Sequence, residues 1–128
     1  MILYLASDLM WATRIKATGE DVGVACRPVR SLEMLQARLA DTPEIKGLVL
    51  DLEAPEIALQ MIQFLRSAES LAVAKSIRMI AFAPHVKRDI MQAALDAGAH
   101  QVLPRGAFDH DLGNILIRLE GTTTGASG

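Results

Sequence analysis

Residues Ile45–Leu52 form a run that is apolar almost without interruption, set between Thr42-Pro43 and Pro55. A strand with one face in water alternates apolar and polar side chains. This run instead fits a strand covered on both faces, the place of a central strand in a parallel sheet. Parallel neighbours cannot be joined by a tight hairpin, and each needs a crossover that is usually a helix. The chain is therefore expected to alternate strands with helices on either side of this segment.

The remaining segments follow that rhythm. Met1–Ala6 is a short apolar run, and the helix-start residues Ser7 and Asp8 lead from it into a helix over Leu9–Gly19. Val22–Val29 is the second strand candidate. Ser31 caps a helix that carries Leu32, Leu35 and Leu39 on one face, and Thr42-Pro43 breaks it. Pro55 opens a helix in which Ile57, Met61, Phe64 and Leu65 recur at helical spacing. Ile77–Phe82 is the fourth strand, ended by Pro84. Val86–Ala97 is a helix stopped by Gly98, Ala99–Leu103 the fifth strand, and Phe108–Leu119 the last helix. This order specifies βαβ units with right-handed crossovers. The compact solution is an α/β doubly wound parallel sheet of order 2-1-3-4-5, flavodoxin-like, with helices on both faces. One domain over residues 1–119 accounts for the pattern, and the polar tail 120–128 is expected to be disordered.

Composition removes several classes of function. With 13 basic and 15 acidic residues scattered along the chain and a net charge of −2, no nucleic-acid or anionic-membrane surface is expected. No apolar stretch approaches the ~20 residues that span a bilayer, and the N-terminus lacks a signal-peptide pattern. A cytoplasmic location is the default expectation. Cys26 is alone, which rules out an internal disulfide and a cysteine-cluster metal site, and its apolar-leaning surroundings favour a buried thiol. His100 and His110 lack metal-ligand spacing, and no glycine-rich phosphate loop is present.

Two acids stand out against this background. Asp51 closes the third strand and Asp8 follows the first. In the order 2-1-3-4-5 the carboxyl ends of strands 1 and 3 flank the switch point, where open α/β sheets bind their ligands. Two neighbouring acids repel unless a cation or a proton lies between them, and Mg²⁺ suits a site of carboxylates and water. Glu53 adds a carboxylate or a main-chain carbonyl two residues past Asp51. The plainer reading makes Asp8 a helix cap and Asp51 a strand-end residue on a polar rim.

Leu48-Val49-Leu50-Asp51-Leu52-Glu53-Ala54-Pro55 resembles the hydrophobic strand, phosphoacceptor aspartate and downstream proline of response-regulator receiver domains of two-component signalling. Ala93-Ala94-Leu95-Asp96-Ala97-Gly98-Ala99 is similar to the alanine-rich end of the receiver's fourth helix, and Asp8 and Arg14 fall at further receiver positions. The resemblance covers Met1 to about Leu119. It implies that Asp51 accepts a phosphoryl group, that Asp8, Asp51 and Glu53 hold Mg²⁺, and that the chain is a signalling module and not an enzyme.

The same alignment of motifs exposes departures. Ser7 stands where receivers carry the first of two acids, Ala83 where a hydroxyl ends strand 4, and Arg105-Gly106 where lysine and proline follow strand 5. Arginine keeps a charge but not the geometry of a lysine. Val102 stands at the aromatic switch position. His85, next to Ala83-Pro84, is a candidate pocket residue beside a solvated-loop reading, and Trp11 is expected to be partly buried. The expected function is that of a stand-alone receiver of atypical, pseudo-receiver form. It would act through contacts with a signalling protein such as a histidine kinase or downstream effector, as a monomer or weak homodimer. Lys87, Arg88, Met91, Gln101 and Phe108, with Arg105, make up the expected partner surface. The alternative is a small α/β enzyme or ligand-binding protein that uses the crevice of Asp8, Asp51 and Arg105.

Overall fold

A computed structural model of the chain describes residues 1–42, 44–67, 74 and 76–121. Strands β1 (Ile2–Leu5), β2 (Cys26–Pro28), β3 (Gly47–Asp51), β4 (Arg78–Ala83) and β5 (Gln101–Pro104) form one parallel sheet in the order β2-β1-β3-β4-β5. That is the predicted order. The helices are α1 (Leu9–Val22), α2 (Leu32–Asp41), α3 (Pro55–Ser67), α4 (Arg88–Ala97), α5 (Arg105–His110) and α6 (Leu112–Glu120). The tail expected to be disordered lies outside the described residues from position 122 onward.

Successive strand residues face opposite sides of a sheet, and here both sides are apolar. Leu3, Leu48, Leu50 and Met79 pack with Leu35, Met61, Ile62 and Ala94 of α2, α3 and α4. Ile2, Tyr4, Val49 and Ile80 pack with Ile15, Ile115 and Leu119 of α1 and α6. Every residue of β3 is buried, as the unbroken apolar run requires.

Most element ends fall within one or two residues of the sequence expectation, and three differences bear on packing. The second strand is only Cys26–Pro28, because α1 runs on through Gly19 to Val22 and ends at Gly23 in a left-handed conformation (φ 76°). Gly19 sits inside the helix because a Cβ there would stand 2.7 Å from Cys26 Sγ, so its absence lets β2 approach. The predicted last helix is two helices. Pro104 caps α5 with an extended backbone, and Asp111 (φ −107°) separates α5 from α6. β4 reaches Ala83, one residue further than expected. Gly98 does end α4, at φ 123°, with the side chain of Arg66 packed where a Cβ would project.

Phe82 at the end of β4 stacks on Phe108 of α5, with ring centroids 4.0 Å apart and planes 6° from parallel. Trp11 of α1 tilts against both rings, at 4.9 Å and 5.6 Å. Trp11 is 4% exposed and Phe108 is fully buried. Trp11 is therefore more deeply buried than expected. Phe108 is corrected from a partner-surface residue to a core residue, because α5 starts earlier than predicted and turns this side chain inward.

Where β4 meets β5, Met79 N–H donates to His100 Nδ1 at 3.0 Å, and His100 N–H donates to the Met79 carbonyl at 3.0 Å. An imidazole thus stands in for a strand acceptor and must be unprotonated at Nδ1. Burial, then Arg78 and Arg66, hold the His100 pKa below its ordinary 6.5. The unfolded chain therefore takes up this proton first, so stability falls as pH drops below about 6.5.

Two outcomes are expected. Phe108→Ala, which empties one third of the aromatic cluster, lowers unfolding free energy by about 3–5 kcal/mol in urea titrations. Between about pH 7.5 and pH 5 the wild-type thermal midpoint falls more than that of His100→Asn, which keeps an acceptor that does not titrate. Equal falls would mean that His100 is not the group responsible.

Candidate functional site

Asp51 is the last residue of β3 and is 1% exposed. A buried carboxylate is costly unless donors surround it, and three do. Ser7 donates twice to Oδ2, from its backbone N–H at 3.0 Å and from its hydroxyl at 2.6 Å. The Glu53 backbone N–H donates to Oδ1 at 3.0 Å. An ionised carboxylate offers about four acceptor positions, so most of this one's capacity is used. The donors come from two loops: the turn after β1 delivers Ser7, and the turn after β3 delivers Glu53 N–H.

Asp8 faces a different task. Its backbone is extended (φ −141°, ψ 167°), and its Oδ1 accepts from Trp11 N–H at 2.8 Å, capping α1. This is the helix-cap reading. Glu53 contributes its N–H to the site, and its residue is exposed. Among the described residues no three His, Cys, Asp or Glu side chains are grouped so as to hold a metal ion. The side chains of Asp8, Asp51 and Glu53 therefore do not form one such group. A hydrated Mg²⁺ keeps near-octahedral geometry and several waters.

The other pocket candidates are dispersed. Ala83 is 1% exposed and packs in the core on the α2, α3 and α4 side, so it offers no polar atom. His85 is exposed in the loop between β4 and α4. Arg105 is exposed at the start of α5 and makes neither an ion pair nor a hydrogen bond with Asp51. The reason is positional: the β5–α5 connection is itself helical, so Arg105 begins a helix instead of reaching over the aspartate. Arg14 pairs with Asp109 of α5, which ties α1 to α5 beside the aromatic cluster. Of the expected partner surface, Lys87, Arg88 and Gln101 are exposed, and Met91 is half-buried against the core. Cys26 is half-buried, and burial pushes its thiol up to about 11, so it stays protonated.

Sequence reasoning missed the direct partnership of Ser7 with Asp51. The signal was present in the hydroxyl at a position where an acid was expected, one residue before Asp8. Ser7→Ala removes the shorter of the two bonds to Oδ2 and should cost about 1–3 kcal/mol in chemical denaturation. In an Asp51→Asn background the same change should cost less, with a coupling on the order of 0.5–3 kcal/mol. Additive losses would separate Ser7 from Asp51.

No family model matches the sequence, and no curated protein matches it either. Solved structures do. The receiver domain of a response regulator from Bermanella marisrubri is 19% identical, with a TM-score of 0.76 over 92% of this chain and 95% of that one. The receiver domain of the sensor histidine kinase PA1611 from Pseudomonas aeruginosa PAO1, which has magnesium coordinated in its active-site cleft, is 19% identical (TM-score 0.73; 94% and 96% covered). The CheY-like protein tadZ from the same organism is 21% identical (TM-score 0.72; 94% and 92% covered). With its parallel sheet of order 2-1-3-4-5 and an aspartate closing the central strand, the chain has the CheY-like fold of response-regulator receiver domains.

Proposed function

We propose that the protein is a receiver-like signal-transduction module that works through protein–protein contacts, with its aspartate site held in one state. The observation that carries this reading is the 2.6 Å bond from the Ser7 hydroxyl to Asp51 Oδ2. Phosphorylation of a carboxylate turns one acceptor oxygen into the bridging oxygen of an acyl phosphate and adds charge to the pocket. Three donors would have to be rearranged, and the pocket returns little for it. Ala83 has no hydroxyl, and Arg105 makes no hydrogen bond to Asp51. A modification shifts an equilibrium only by what it gains in one state over the other. Conventional switching is therefore disfavoured, and no catalytic role is assigned to the site.

The partner in this reading is another signalling protein, such as a histidine kinase or a downstream effector. Val86, Lys87 and Arg88 are exposed together at the start of α4 and form the contact surface, with Gln101 on β5. The burial of Asp51 argues against the alternative of an enzyme or a ligand-binding crevice, because the carboxylate is closed to an incoming molecule. No helix among the described residues is long and apolar enough to cross a membrane.

The test is intact-mass measurement after incubation with Mg²⁺ and acetyl phosphate, beside a receiver known to label. Wild type should gain no phosphoryl mass. An adduct that forms as readily as on the control and disappears in Asp51→Asn would overturn the held-state reading.

A further inference from the structure

The opposite edge of the sheet carries a second feature that the aspartate site does not use. At the amino ends of β4 and β5 a cleft of about 260 Å³ is lined by Arg78, Ile80, His100, Gln101, Arg118 and Leu119. Its chemistry is divided. Ile80 and Leu119 are buried and form an apolar floor, whereas Arg78, His100, Gln101 and Arg118 are exposed. Small-molecule sites are commonly built this way, with an apolar floor and a few convergent polar groups.

The polar groups share one sign. Arg78 opens β4 and makes no ion pair among the described residues. Arg118 places one nitrogen, Nη1, 3.5 Å from Asp111 Oδ2, a loose and exposed pair that leaves its other donors available. Glu120, which follows the cleft residue Leu119, is engaged by the N-terminal ammonium of Met1. Among the described residues no carboxylate lines the cleft. His100 adds a donor, because its Nδ1 accepts from Met79 N–H and the neutral ring must then carry its proton on Nε2. In a chain of net charge −2 this is a local concentration of two guanidinium groups and a donor imidazole, with Asp111 at one side as the acid paired to Arg118.

We propose that this cleft binds a small phosphate-bearing molecule, with the phosphate held by Arg78, Arg118 and His100 and the apolar part laid on Ile80 and Leu119. Two guanidinium groups match the roughly double charge of a phosphate monoester and reach its oxygens with paired donors. A carboxylate, with one charge and two oxygens, uses this donor set less fully. The site lies at the amino edge of the sheet, away from Asp51, and does not depend on phosphoryl transfer there.

The test uses adenosine monophosphate, sulfate and adenosine as probes in heteronuclear NMR titrations of the full chain. Adenosine monophosphate should shift the amide signals of Arg78, His100, Gln101 and Arg118, with half-saturation at least about tenfold below that of sulfate, a difference of about 1.4 kcal/mol. Adenosine should leave them unmoved. Arg78→Gln with Arg118→Gln, both exposed and so compatible with the fold, should abolish the response while the remaining spectrum is kept. The proposal is overturned if adenosine monophosphate shifts nothing, if sulfate binds equally well, or if binding survives the double substitution. None of these outcomes bears on Asp51, so the two readings fail independently.

Discussion

The structure depends on one strand that has no wet face. All five residues of β3 are buried, and the fifth is an aspartate. Leu48, Val49 and Leu50 draw helices onto both sides of the sheet, and that coverage also closes over Asp51. Withdrawn from water, its carboxylate must be met by donors. The loops after β1 and β3 supply them, so the conformation of Ser7 and of the turn into α3 follows from the burial of a single charge.

The aromatic cluster extends this constraint sideways. Phe82 pairs in register with Asp51, and its carbonyl accepts from Leu52 N–H at 2.9 Å. The Phe82 ring is fixed by Phe108 of α5 and Trp11 of α1. Trp11 in turn donates its backbone N–H to Asp8. Asp51, Phe82, Trp11 and Asp8 thus form a continuous set of contacts across the carboxyl edge of the sheet. The ion pair of Arg14 with Asp109 braces the same two helices from outside. Rings stacked at 4.0 Å have little room to change rotamer without opening a void, so this edge is built to stay in one arrangement.

Fold class was legible because it rests on period and order. The apolar run at Ile45–Leu52, the cap at Ser31 (its hydroxyl accepts from Met34 N–H) and the stop at Gly98 each work locally, and each stands where expected. Elements decided by tertiary contact were not legible. Gly19 reads as a helix end, but α1 continues to Val22, and the glycine leaves the space into which β2 packs. Phe108 and Trp11 read as surface or half-surface residues, because nothing in the sequence announces that three aromatics from distant segments will meet. In the site, spacing brought Asp51 to the switch point but did not say which neighbour would meet it. Asp8 and Ser7 are adjacent, and the backbone angles of the loop send one side chain to the helix and the other to the aspartate.

That division of labour bears on how such a module can carry a signal. A site with two acids beside the phosphoacceptor needs a cation, and its charge is then open to exchange between metal and phosphoryl ligands. Replacing the first acid by Ser7 removes one negative charge and adds a donor, so Asp51 is compensated by neutral groups that are part of the chain. Such compensation does not vary with ion or phosphodonor concentration. Exposed cationic side chains lie at the start of α4 and at the amino edge of β4 and β5, whereas Asp51 at the end of β3 is buried and met by three donors.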